Sequence, residues 1–79
     1  MTSGNAQRRE HDLLEVTING EARTISAGST VSALLASLEL HPRLIVVEHN
    51  REILDRAKFD HTMIEPGDVF ELVHFVGGG

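Results

Sequence analysis

One stretch of this chain, Val31 to Leu38, sets its apolar residues on one face of an α-helix between a capping sequence and a proline. Val31, Leu34, Leu35 and Leu38 fall at i, i+3, i+4 and i+7, and Ser32, Ala33, Ala36 and Ser37 lie off that stripe. A helix with a single apolar stripe cannot bury it unaided. The other apolar segments read as strands, so a sheet must cover the stripe. Ser29 or Thr30 can cap the helix by accepting a backbone N–H bond. The helix is expected to stop before His41-Pro42, because the residue ahead of a proline disfavours the helical conformation.

The strands can be placed by alternation and by turn residues. Leu14, Val16 and Ile18 alternate with Glu15 and Thr17, which predicts a half-buried strand. Asn19-Gly20 follows, and both residues tolerate positive φ, so a tight hairpin should return the chain along Glu21 to Ile25. Leu44 to Glu48 (LIVVE) reads as a third strand, His49 to Glu52 as a turn, and Ile53-Leu54 as a short extended piece. Phe59, Met63 and Ile64 are expected to anchor a long connection to the core. Glu65-Pro66-Gly67-Asp68 is a turn, and Val69 to Val76 (VFELVHFV) is the last strand. Hairpin, helix, strand, loop and strand in that order predict an α+β domain of the ubiquitin-like β-grasp type. Its mixed four- to five-stranded sheet would wrap around one main helix. The expected organisation is a disordered leader over residues 1–12, a β-grasp domain over 13–76 and a flexible glycine tail over 77–79.

Size and charge narrow the function classes. A chain of 79 residues is one domain and buries only about 60% of its unfolded surface, which leaves little room for an enclosed active-site cavity. The formal net charge of -5 disfavours nucleic acid and anionic membrane surfaces as partners. It suits a basic protein partner. The chain has no cysteine, so it carries neither a disulfide framework nor a Cys metal site, and no thiol. No apolar segment follows Arg8 and Arg9 and no run approaches membrane-spanning length, so the cytoplasm is the expected location.

The feature that points to chemistry is Gly77-Gly78-Gly79 after an apolar strand. Glycine loses more conformational freedom on ordering than any other residue, so this arm should be mobile. Extended, it reaches roughly 10 Å past the domain. An arm without side chains fits a narrow channel in a partner enzyme and can bring the Gly79 carboxylate to a buried site. A carboxylate needs activation before a nucleophile can attack it, for example as an acyl-adenylate made from ATP. A sulfur nucleophile that displaces AMP leaves a thiocarboxylate, which is how a cysteine-free chain could carry sulfur. From the tail alone, a simple glycine linker remains the alternative.

Other candidate groups point less far. The spacing of His11, His41, His49, His61 and His74 fits no common zinc pattern, so they read as surface or turn residues and no metal is expected. His74, near the tail, fits either a sheet margin or a partner contact. Glu65, Asp68 and Glu71 cluster around the last turn. Without a pocket to shift their pKa values they read as solvated charges, with a steering role at a partner surface as the alternative. In the last strand, Phe70 and Leu72 are assigned to the core. Val73 and Phe75 lie on the opposite face and are the proposed docking residues, with a sheet covered on both faces as the alternative.

The sequence resembles the ThiS family of sulfur carriers from about Leu14 to Gly79. The resemblance rests on Asn19-Gly20 after the first strand, Gly28-Ser29-Thr30-Val31 with Leu34-Leu35, and the segment Val47-Glu48-His49-Asn50-Arg51-Glu52-Ile53. It continues through the Pro66-Gly67-Asp68 turn to the ending Val73-His74-Phe75-Val76-Gly77-Gly78-Gly79. That ending is its most specific part, since ubiquitin-like carriers in general share only the terminal Gly-Gly. Two departures are a leader longer than usual and Asp55 where the family often has proline.

The resemblance implies that Gly79 is the acyl-adenylate and thiocarboxylate site, with Gly77 and Gly78 held by the partner. It implies a ThiF-like adenylyltransferase using ATP and Mg, a cysteine desulfurase or rhodanese-type sulfur donor, and a ThiG-like thiazole synthase as receiver. The chain would then be a carrier and co-substrate rather than an enzyme, with no cofactor of its own, and a monomer when free. A MoaD-like carrier for molybdopterin synthesis, a ubiquitin-like protein modifier and a non-covalent binding module are the competing readings.

Overall fold

The computed structural model describes residues 12–74. The expectations for Gly77, Gly78, Gly79 and Phe75, and for nearly all of the leader, concern residues outside that range. β1 (Leu13–Ile18) and β2 (Glu21–Ser26) form an antiparallel hairpin in which Ile18 faces Glu21. The two residues between them, Asn19 and Gly20, have φ of 51° and 83°. A two-residue hairpin turn of this kind requires positive φ at both positions.

The helix α1 (Val31–Ser37) follows. Thr30 rather than Ser29 is its cap, its Oγ1 accepting from the Ala33 N–H at 3.1 Å. Ser29 instead donates from its hydroxyl to the Ser26 carbonyl. The helix ends for a reason the proline did not signal. Glu39 adopts φ of 61°, its N–H donates to Ala36 O and the Leu40 N–H donates to Leu35 O. This is the paired C-terminal bond pattern that glycine usually serves, here formed by a glutamate two residues before His41.

A 3-10 turn (Pro42–Leu44) leads into β3 (Ile45–His49), so Leu44 lies ahead of the strand and is exposed. β4 (Glu52–Leu54) pairs antiparallel with β3. The expected four-residue turn between them contracts to Asn50-Arg51, with φ of 52° and 74°, and His49 and Glu52 become strand partners. A second 3-10 turn (Arg56–Lys58) lies within the connection to β5 (Val69–His74).

The five strands run in the order β2-β1-β5-β3-β4, with β1 and β5 parallel and the other neighbours antiparallel. With one helix packed on this mixed sheet, the fold is a β-grasp. Val16 and Ile18 from β1, Ile45 and Val47 from β3, and Phe70 from β5 meet Val31, Leu34 and Leu35 of α1 in one core. Leu38 is partly buried against it. Phe59 and Ile64 close the core from the connection as expected, but Met63 does not, being 48% exposed. Met63 bridges Thr30 through its backbone. In such an extended segment consecutive side chains point to opposite sides, so Ile64 turns inward and Met63 outward.

Candidate functional site

β5 is the strand that leads toward the glycine tail, and it lies at the centre of the sheet. Its inward side carries Phe70, which is fully buried, and Leu72, which is half-buried. Its outward side carries Val69, Glu71 and Val73, the last 57% exposed. Val73 lies directly opposite Val46 of β3. One step along, Glu71 lies opposite Glu48, which in turn faces Ile53 of β4. The outer face therefore combines exposed Val73 and Ile53 and half-buried Val46 with two carboxylates brought together across strands. Like charges directly opposite one another destabilise a sheet. His74 is exposed, opposite Ile45.

The entry to β5 is locked by groups distant in sequence. Asp68 is only 7% exposed, so it is not the solvated charge that its turn position implied. Its Oδ2 accepts from the Glu65 N–H and from His49 Nε2, each at 2.9 Å, and its Oδ1 accepts from Asn50 Nδ2 at 3.1 Å. Burial pushes the Asp68 carboxyl up. The hydrogen bonds from the Glu65 backbone and from the His49 and Asn50 side chains outweigh that effect and hold it below the usual carboxylate range. His49 is likewise more than a surface or turn residue. Its ring stacks on Phe70 at 4.8 Å between centroids and 12° between planes. Asn50 pairs with Val69 as a strand residue would, donating its N–H to Val69 O at 2.8 Å and accepting the Val69 N–H on Oδ1 at 2.9 Å. On the opposite flank, Asn19 accepts the Leu72 N–H on Oδ1 and donates from Nδ2 to Leu72 O.

These supports were missed because their partners are far apart in sequence. Asp68 and His49 are 19 residues apart, and Asn19 and Leu72 are 53 apart. The one usable signal was the identity of the turn residues, since asparagine both tolerates positive φ and bonds nearby backbone. Among the described residues no group of three or more His, Asp or Glu side chains is placed to hold a metal ion. No helix among them is long and apolar enough to cross a membrane.

A sequence model of the ThiS family matches residues 16–79, from within β1 through the three terminal glycines. The chain belongs to the ThiS family. It is 42% identical over 50 residues to the sulfur carrier protein ThiS of Bacillus subtilis, covering 63% of this chain and 76% of that protein. The fold is similar to the crystal structure of the thiamine biosynthesis protein ThiS from Geobacter metallireducens. That similarity has a TM-score of 0.73 and 35% identity, over 84% of this chain and 100% of the other. The chain is also 41% identical over 66 residues to a thiazole synthase of Paramagnetospirillum magneticum, but spans only 20% of the length of that protein. Within the ThiS family match, Val73 lies on the exposed outer face, while Phe75, Gly77, Gly78 and Gly79 are matched in sequence and lie outside the described residues.

Proposed function

We propose that this chain is a sulfur carrier for thiamine biosynthesis, working through the carboxylate of Gly79. The observation that carries this reading is the ThiS family match, which extends through the glycine ending. In the first step a Gly79 carboxylate oxygen attacks the α-phosphorus of ATP on a ThiF-like adenylyltransferase, and pyrophosphate leaves. In the second, the outer sulfur of a persulfide on a cysteine desulfurase or rhodanese-type donor attacks the acyl carbon and AMP leaves; a thiol then attacks the donor's sulfur in the acyl disulfide, which releases the thiocarboxylate and leaves a disulfide. The thiocarboxylate then gives its sulfur to a ThiG-like thiazole synthase. Mg and ATP belong to the adenylating partner, and the chain is a monomeric, cytoplasmic co-substrate rather than an enzyme.

The likeness to part of a thiazole synthase supports that enzyme as the receiver. The outer face supports a partner that is apolar at its centre and basic at its rim. Val73, together with Phe75 as the sequence assigns it, would supply the apolar contact. Glu48 and Glu71 would attract the basic rim. Gly77 and Gly78 would pass through the partner's channel.

The test is to incubate the chain with a verified active ThiF-like enzyme, Mg-ATP and sulfide, and to record its intact mass. Exchange of one oxygen for sulfur is the expected result. An unchanged mass overturns the reading, and conjugates to other proteins would assign the chain to the modifiers instead.

A further inference from the structure

Strand β1 ends before the strand beside it does. The last register pair between β1 and β5 is Ile18 with Phe70, and the Asn19 N–H donates to Phe70 O at 2.9 Å. Past that point β5 runs on to His74, with no strand on its β1 flank among the described residues. The Asn19 side chain occupies the gap. Its Oδ1 accepts the Leu72 N–H at 2.8 Å and its Nδ2 donates to Leu72 O at 3.3 Å. A primary amide offers an acceptor and donors in one plane, so it reproduces the pairing that another strand residue would give.

The hairpin does not require this. Its turn needs positive φ at position 19, which glycine or aspartate also provides. The bidentate use of the amide is therefore additional to the demand of the turn. It falls at Leu72, next to the outward Val73 and seven positions before Gly79. Fixing a binding element before association reduces what must be ordered on binding.

We propose that Asn19 is a positioning residue for the carrier's reaction. Its amide holds β5 at Leu72, so that the outer face at Val73 is presented to the adenylating partner in one arrangement. Asn50 holds the other end and the other flank of the same strand, at Val69. The proposal rests on the sulfur-carrier reading and adds to it a residue outside both the glycine arm and the outer face.

The experiment compares Asn19→Gly and Asn19→Asp with the unaltered chain. Amide hydrogen exchange gives the structural readout, and steady-state adenylation by the ThiF-like enzyme gives the functional one. Glycine keeps the turn, because it accepts positive φ, and removes the amide. N19G should keep its far-UV circular dichroism and exchange faster at the Leu72 amide, while the buried Val47 amide stays protected. Loss of bonds of this kind should raise the KM for the carrier roughly fivefold and leave kcat unchanged. N19D keeps the Oδ1 acceptor but sets a second carboxylate oxygen against Leu72 O, so it should recover part of the Leu72 protection and part of the KM.

A KM for N19G equal to that of the unaltered chain overturns the proposal. So does a fall in kcat with KM constant, or equal impairment of N19D and N19G. If N19G does not fold, N19D decides. Having lost the donor to Leu72 O, it should show a KM raised about twofold, and an unchanged KM overturns the proposal. If an active enzyme fails to adenylate even the unaltered chain, the sulfur-carrier reading falls and the positioning role falls with it. Leu72 exchange still reports whether the clamp exists.

Discussion

Replacing Asp68 by alanine removes the acceptor of three hydrogen bonds at the entry to β5. The Glu65 N–H, His49 Nε2 and Asn50 Nδ2 all lose this acceptor. Net contributions of hydrogen bonds to charged groups run from about 1.5 to 3 kcal/mol each. The three share one carboxylate and do not add fully, so about 3 kcal/mol is the expected loss. For a domain of this size that corresponds to a fall in Tm of about 10–20 °C.

The loss should also depend on pH in a defined direction. The folded carboxyl is held below its ordinary value, so its contribution is present above the unfolded pKa of about 3.9 and disappears as pH falls through the folded value. Thermal unfolding followed by circular dichroism should therefore show a gap between D68A and the unaltered chain at about pH 5 that closes as the pH falls further. A gap as wide at about pH 2.5 as at about pH 5 would refute the assignment of the loss to the ionised carboxylate. A fall in Tm of less than about 3 °C would refute the role of the cluster as a support.

Three further substitutions probe other parts of the structure. Thr30→Ala removes the helix cap and should cost about 1 kcal/mol, read as a lower midpoint in urea unfolding. Glu71→Gln relieves the like-charge pair with Glu48, so it should stabilise by about 0.5 kcal/mol in low salt and by less in high salt. The same change should slow association with a basic partner. Val73→Lys, on the exposed outer face, should change stability by no more than about 0.5 kcal/mol. It should raise the KM for adenylation, and an unchanged KM would remove Val73 from the docking surface.

Elements whose determinants are local could be read from the sequence. The Asn19-Gly20 hairpin, the Val31 to Leu38 stripe and the placement of Phe70 in the core follow from turn chemistry and periodicity. The places where the reading fell short involve competition between local signals or partners distant in the chain. α1 stops ahead of His41-Pro42 as the sequence predicts, but its end is made by the left-handed Glu39 rather than by the proline. Leu44 carries a β-favouring neighbourhood, but Pro42 draws it into a 3-10 turn. Asp68 sits in a sequence that reads as an exposed turn, and only the closure of β3 against β5 brings His49 and Asn50 onto it. Part of the outer face could be read by alternation along β5, which set Val73 opposite to Phe70. The Glu48–Glu71 juxtaposition needed the strand register. The clamp at Leu72 had no signal beyond the asparagine itself.

The claim that the chemistry belongs to Gly79 is tested most directly by locating the sulfur. The full chain and a chain lacking Gly79 are each treated with the ThiF-like enzyme, Mg-ATP and sulfide, then analysed by tandem mass spectrometry. The expected result is sulfur on the C-terminal fragment ending in Gly79 and no sulfur on the shortened chain, which should unfold at the same temperature as the full one. Sulfur on any other residue, or retained by the shortened chain, would contradict the claim.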